Sequence, residues 1–172
     1  YVALMSVFEE GASKIFLKTY DFEGKELRAW GQFTAPAMKM VTRSAEGGGG
    51  VVFAVSVPYS PLSVLAGDAR FLRLYHCLNE AYVIEVYDAE GRLFRKIDHP
   101  YERIRVTAAD KNEYLARTSS ASNDVRELSA SLPWPDVKTV TERMLCDDRG
   151  FLWVATNEMK EEGGTKLTAF DV

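Results

Sequence analysis

Histidine and cysteine are scarce in this sequence: His76 and His99 are its two histidines, Cys77 and Cys146 its two cysteines. The histidines are far apart and neither has a cluster of carboxylates or thiols around it in the sequence, so their spacing defines no metal site. His76 follows Tyr75 and precedes Cys77 at the end of a strand-like run and reads as a hydrogen-bonded structural histidine. The cysteines have no C-x-x-C partner spacing and read as buried thiols. Charge of one sign is nowhere concentrated. The 21 basic and 25 acidic residues, net −4, are interleaved, which excludes the basic footprint of a nucleic-acid binder. No stretch approaches the ~18 consecutive apolar residues of a membrane-spanning helix. G-x-S-x-G and H-E-x-x-H are both absent. The glycine run at Glu46–Gly50 lacks the lysine of a phosphate loop and leads into a strand where such a loop needs a helix. These absences leave no catalytic, cofactor-binding or metal-ligating residue assigned by motif.

What is present is apolar material and repetition. Hydrophobic residues make up 47% and aromatics 12% of the 172 residues, enough to bury a core. Ile15–Trp30 aligns without a gap on Tyr82–Ile97, with Tyr20/Tyr87, Asp21/Asp88, Glu23/Glu90, Gly24/Gly91 and Arg28/Arg95 identical. A third copy starts at Leu167, with Phe170-Asp171 in the Tyr-Asp place. The unit has the chemistry of a hairpin: β-branched and aromatic residues run into Asp, Gly closes the turn, and an apolar-bearing strand returns. The aspartates are therefore expected to serve the turns. Ser63–His76 resembles Met144–Thr156 as a strand, polar turn and strand, which in front of Tyr82 and Lys166 gives four short strands in a row. Asp147-Asp148 falls at such a turn, with Asp68 its expected counterpart.

Sheets of short strands cannot cover both faces alone, and they bury one another by stacking. The expected fold is all-β: a β-propeller of four-stranded antiparallel blades with a short helical insertion. The division is a blade at 2–31 lacking its innermost strand, a linker with an extra strand at 32–60, a blade at 61–98, a helical insertion at 103–136, and a blade at 142–172 lacking its last strand. The whole is expected to be part of a ring. Within the linker, Val51–Val57 alternates as a strand. Within the insertion, Thr107-Ala-Ala-Asp110 is a capping box opening a helix to about Arg117, Thr118–Asn123 breaks it, and Asp124–Ser129 adds further helical turns before the prolines of Leu132–Asp136 force an extended path. Trp30, Trp134 and Trp153 are assigned to packing, with Trp153 filling space between blades.

Tyr87-Asp-Ala-Glu-Gly-Arg-Leu93 and Cys146-Asp-Asp-Arg-Gly-Phe-Leu-Trp-Val154, supported by Val57-Pro-Tyr-Ser-Pro61 and His99-Pro-Tyr-Glu102, resemble the six-bladed β-propellers of the TolB-like and NHL-repeat-like class. The resemblance implies a bacterial, periplasmic or secreted protein. The first functional expectation is a non-catalytic module binding a protein, peptide or glycan, through one end of the ring or the helical insertion. No nucleic acid is expected as a partner; self-association through the incomplete blades is a further expectation. The alternative is a metal-dependent propeller hydrolase of the lactonase or esterase kind, with Asp147, Asn79 or Asn157 contributing to a divalent-metal site. No cofactor is expected under the first reading.

Overall fold

The computed structural model describes residues 2–9, 12–44, 48–68, 72–118, 120–159 and 165–172. These form antiparallel sheets with two helices. The first sheet is β1 (Val2–Glu9), β2 (Ala12–Tyr20) and β3 (Glu26–Thr34), in that order. A two-stranded hairpin follows, β4 (Met38–Ser44) and β5 (Gly50–Ser56). The second sheet has β6 (Ser63–Asp68), β7 (Arg73–Leu78), β8 (Val83–Tyr87) and β9 (Leu93–Asp98) in sequential order. Helices α1 (Ala108–Arg117) and α2 (Asn123–Ala130) precede the third sheet of β10 (Thr141–Cys146), β11 (Phe151–Met159) and β12 (Thr165–Asp171). Among the described residues the sheets close into neither a barrel nor a ring.

The repeated hairpin owes its shape to its aspartate. Asp21 Oδ1 accepts from the Glu23 and Lys25 amides, each at 2.9 Å. Asp88 Oδ1 does the same with Glu90 and Arg92 at 3.0 and 2.9 Å. The glycine of each turn takes a left-handed conformation, φ +84° at Gly24 and +74° at Gly91, which costs glycine no clash. Asp147 repeats the pattern with the Arg149 and Phe151 amides at 3.0 and 2.9 Å, with Gly150 at φ +92°. Asp147 thus belongs to the same turn type as Asp21 and Asp88. Asp68, its expected counterpart, is instead the last residue of β6, and the connection from 69 to 71 lies outside the described residues.

The main core lies between the second and third sheets. Alternation along each strand turns Val64, Ala66, Tyr75, Cys77, Ile84 and Val86 toward Met144, Leu152 and Val154. Tyr75, Ile84, Val86, Leu152 and Val154 are wholly buried. A backbone bond ties the two sheets at one end, from the Val140 amide to the Asn79 carbonyl at 2.7 Å, while the Asn157 amide extends the β10–β11 pairing to the Val140 carbonyl at 3.1 Å. Trp153, expected to fill space between blades, lies on the face of the third sheet away from the second. Between the inward Leu152 and Val154, it points to the outer face of the third sheet, 36% exposed, and its indole N–H donates to Asp147 Oδ2 at 2.9 Å. Leu145 and Leu167 are exposed on that sheet too.

The linker and insertion pack on each other. Besides the strand at Gly50–Ser56, the linker supplies β4, and Val55 meets Leu128 of α2 and Leu132 in a second small core. The capping box at α1 forms: the Thr107 hydroxyl accepts from the Asp110 amide at 3.2 Å, and Asp110 Oδ2 accepts from the Thr107 amide at 2.9 Å. Arg43 of β4 bridges to Asp124 of α2 at 2.6 Å, and Lys138 to Asp110 at 2.6 Å. The apolar side of the helical insertion is therefore spent largely on the hairpin.

Candidate functional site

Where the first sheet approaches the second, the surfaces do not fill the space between them. Two clefts of about 450 and 710 Å³ open there, and Arg28, Trp30 and Leu74 line both. The smaller carries Ser63 of β6 and His76 of β7 on one wall, the latter between Leu74 and Leu78, and Trp30 and Phe33 of β3 on the other. Leu17 of β2 lines the larger and is 3% exposed.

On the second sheet's face toward the smaller cleft, three side chains join in a line, of which Ser63 and His76 line the cleft itself. His76 of β7 lies directly across from Glu85 of β8, while Ser63 of β6 pairs with Leu78, diagonal to His76. Period-two alternation puts all three on one face. Ser63 Oγ is 3.0 Å from His76 Nε2, and His76 Nδ1 is 3.1 Å from Glu85 Oε2. One proton assignment satisfies both contacts: the Ser63 hydroxyl donates to Nε2, and Nδ1–H donates to the carboxylate. Ser63 Oγ also accepts from the Thr34 amide at 3.0 Å, tying the end of β3 to the second sheet. The Phe33 ring lies 5.2 Å from the imidazole.

Glu85 is the electrostatic hub. Its carboxylate takes a bridge from Lys96 at 2.9 Å and a hydrogen bond from the Tyr87 hydroxyl at 2.8 Å, besides the imidazole. Chiefly the Lys96 hydrogen bond, then those of Tyr87 and His76, hold its pKa down at about 2 against partial burial. Burial first, then the hydrogen bond to Glu85 and its charge, push the Tyr87 phenol up to about 12. The Glu85 side is therefore anionic and the Tyr87 side protonated across the neutral range.

The β3 wall offers unused donors. The Trp30 indole N–H is buried without a hydrogen-bond partner among the described residues. Arg28 lies over the Trp30 ring at 5.4 Å, and among the described residues no ion pair to a carboxylate occupies it. Its position depends on Gly91 of the facing turn, where a Cβ would stand 2.7 Å from Arg28 Nη1. A buried donor without an acceptor is costly unless something else supplies one.

Of the residues named for a metal site, Asn79 and Asn157 both bond the Val140 backbone, but all three side chains are committed elsewhere. Asp147 is committed to its turn and to Trp153. Asn79 Oδ1 accepts from the Leu62 amide at 2.8 Å, and Asn157 Nδ2 donates to the Thr139 carbonyl at 2.7 Å. Among the described residues no group of three or more His, Cys, Asp and Glu side chains is placed to hold a metal ion. His99 Nδ1 meets the Pro100 carbonyl at 2.9 Å, and its ring packs on Tyr82 at 4.8 Å. Neither cysteine forms a disulfide; Cys77 is buried, and burial raises both thiols' pKa values, that of Cys146 to about 11. Sequence reasoning placed His76 as a hydrogen-bonded structural residue and missed its partners. The available signal was parity: once the strands are registered, Ser63, His76 and Glu85 all fall on the second sheet's non-core face.

No family model, curated protein or solved structure matches the chain. The class that fold and site define is an antiparallel β protein of stacked sheets with an open, donor-bearing cleft between two of them.

Proposed function

We propose that the protein is a propeller-type binding module that takes its ligand into the cleft between the first and second sheets. The observation that carries this reading is the pair of unused donors on one wall, the buried Trp30 N–H and the Arg28 guanidinium. Together they suit a carboxylate beside a flat apolar group, a chemistry found in acidic peptides and in uronate-bearing glycans. The helical insertion is the weaker docking surface, because Leu128 and Leu132 already pack on Val55.

The repeat supports the propeller architecture. Aligning Tyr20, Tyr87 and Phe170 makes Leu17, Ile84 and Leu167 equivalent positions. Leu17 lines the gap toward the second sheet and Ile84 is buried against the third, while Leu167 is 54% exposed. By the same strand pairing Trp153 occupies the place of the wholly buried Tyr75. Each sheet thus offers the same face in the same sense, the head-to-tail stacking that blades around an axis require. A bacterial, extracytoplasmic setting goes with the resemblance carried by Tyr87–Leu93 and Cys146–Val154.

Titration of the tryptophan fluorescence with tetraglutamate and with a tetragalacturonate tests the binding reading. A saturable change with either probe at up to millimolar concentration, lost in Arg28→Ala and in Trp30→Phe, is the expected result. Absence of saturable change with both probes, in protein whose melting curve shows it folded, would overturn it.

A further inference from the structure

We propose that Ser63, His76 and Glu85 form a nucleophilic triad that hydrolyses small carboxylic esters in the same cleft. The inference rests on that cleft admitting a small ligand. Three features of the structure point to it.

The first is the order of contacts. Serine oxygen, imidazole and carboxylate are joined through Nε2 and Nδ1 at 3.0 and 3.1 Å. This is the arrangement by which a base removes the serine proton while a carboxylate fixes the imidazole tautomer and stabilises the imidazolium. The second is placement, since His76 and the largely buried Ser63, 7% exposed, both line the 450 Å³ cleft. The third is the donor supply around the nucleophile. The Thr34 amide stands 3.0 Å from Ser63 Oγ, and once that oxygen has become an ester oxygen, and so a poorer acceptor, the amide is free to meet a developing oxyanion. Trp30 also lines this cleft; a preorganised donor such as the Thr34 amide stabilises a tetrahedral intermediate.

The reaction balances with water as the co-substrate. Ser63 Oγ bonds to the ester carbonyl carbon as its proton passes to His76 Nε2. The carbon–alkoxy bond then breaks, and the leaving oxygen takes the proton from Nε2, releasing an alcohol and leaving an acyl-serine. Water attacks that acyl carbon, giving a proton to Nε2. The bond to Ser63 Oγ breaks with return of that proton, releasing a carboxylic acid and the starting enzyme. Glu85 acts through the imidazole and is a positioning residue. The cleft volume limits the substrate to a small acyl ester, and Arg28 favours one that carries a second, free carboxylate.

Wild-type protein is treated with a fluorophosphonate probe and the modified residue identified by peptide mass spectrometry; p-nitrophenyl acetate and mono-p-nitrophenyl succinate turnover are measured in parallel. Expected are a phosphonyl adduct on Ser63, its loss in His76→Gln, and turnover that falls at least 100-fold in Ser63→Ala, with the succinate ester preferred over the acetate in wild type and not in Arg28→Ala. Wild-type labelling requires no variant to fold, and Ser63→Cys, expected to react with iodoacetamide faster than Cys77, serves as a second nucleophile at the position. Failure of Ser63 to label in folded wild type, or turnover unchanged in a folded Ser63→Ala, overturns the triad. Carboxylate binding seen by fluorescence without labelling would defeat the triad and leave the binding reading standing. Labelling without carboxylate binding would do the reverse.

Discussion

Replacing Glu85 with glutamine should make the protein less stable at neutral pH and leave its stability unchanged at about pH 2. In the folded chain the carboxyl ionises at about 2, against an ordinary 4.5. Linkage converts that difference, at about 1.4 kcal/mol per tenfold change, into about 3 kcal/mol of stability at pH 7. Glu85 is 24% exposed and its main partner Lys96 is 56% exposed, so solvent screening reduces the expected value to about 2 kcal/mol. The sign follows from the depressed value in the fold. The contribution is complete above pH 4.5 and is lost as the pH falls toward 2, because the unfolded chain takes up the proton first. Glutamine keeps acceptor capacity toward His76 and Tyr87 but has no charge for Lys96. Urea unfolding of both proteins at intervals from pH 7 to pH 2 would show midpoints separated at neutral pH and converging below pH 4.5. A separation that stays constant with pH, or none at pH 7, would refute the assignment of Glu85 as the hub.

Ile84→Ala removes a wholly buried side chain from between the second and third sheets and is expected to cost about 2–5 kcal/mol, read as a lowered urea midpoint. Trp153→Ala should cost about 1 kcal/mol in this chain, since the ring is on the outer face and loses mainly its bond to Asp147; a loss above about 3 kcal/mol would place the indole in a core. Gly91→Ala meets both a left-handed φ of +74° and the Arg28 guanidinium. It should destabilise the protein by about 1 kcal/mol and, in the fluorescence titration, weaken carboxylate binding more than an alanine at Gly24, where the added Cβ meets nothing within 4 Å.

Local rules carried the fold reading as far as single elements. The Asp21 and Asp88 turns, the Thr107 capping box and the break before α2 each depend on residues within a few positions of one another, and those interactions form as their spacing implies. Trp153 marks where that reading stops short: the face it is expected to fill is, in this chain, the uncovered outer face of the third sheet. Aromatic size suggests burial, but the side facing the second sheet is set by parity along β11, and Leu152 and Val154 hold the inward positions. The site is a stronger case of the same limit. Ser63, His76 and Glu85 lie on three strands, and no motif records their approach, because sheet register is set by turn geometry and by the buried positions between them.

That dependence also explains why the polar line is on this face of the second sheet. The opposite face is filled by Tyr75, Cys77, Ile84 and Val86 against the third sheet, so strand alternation leaves 63, 76 and 85 for the side toward the first. There the neighbouring sheet arrives through β3, whose terminal Thr34 amide binds Ser63 and whose Phe33 ring covers His76. The gap beyond those contacts is the cleft. A larger apolar contact between these two sheets would close it and cover Ser63 and His76. Incomplete packing between the first and second sheets is therefore the condition for a site, and the complete packing between the second and third is what holds its polar wall in register.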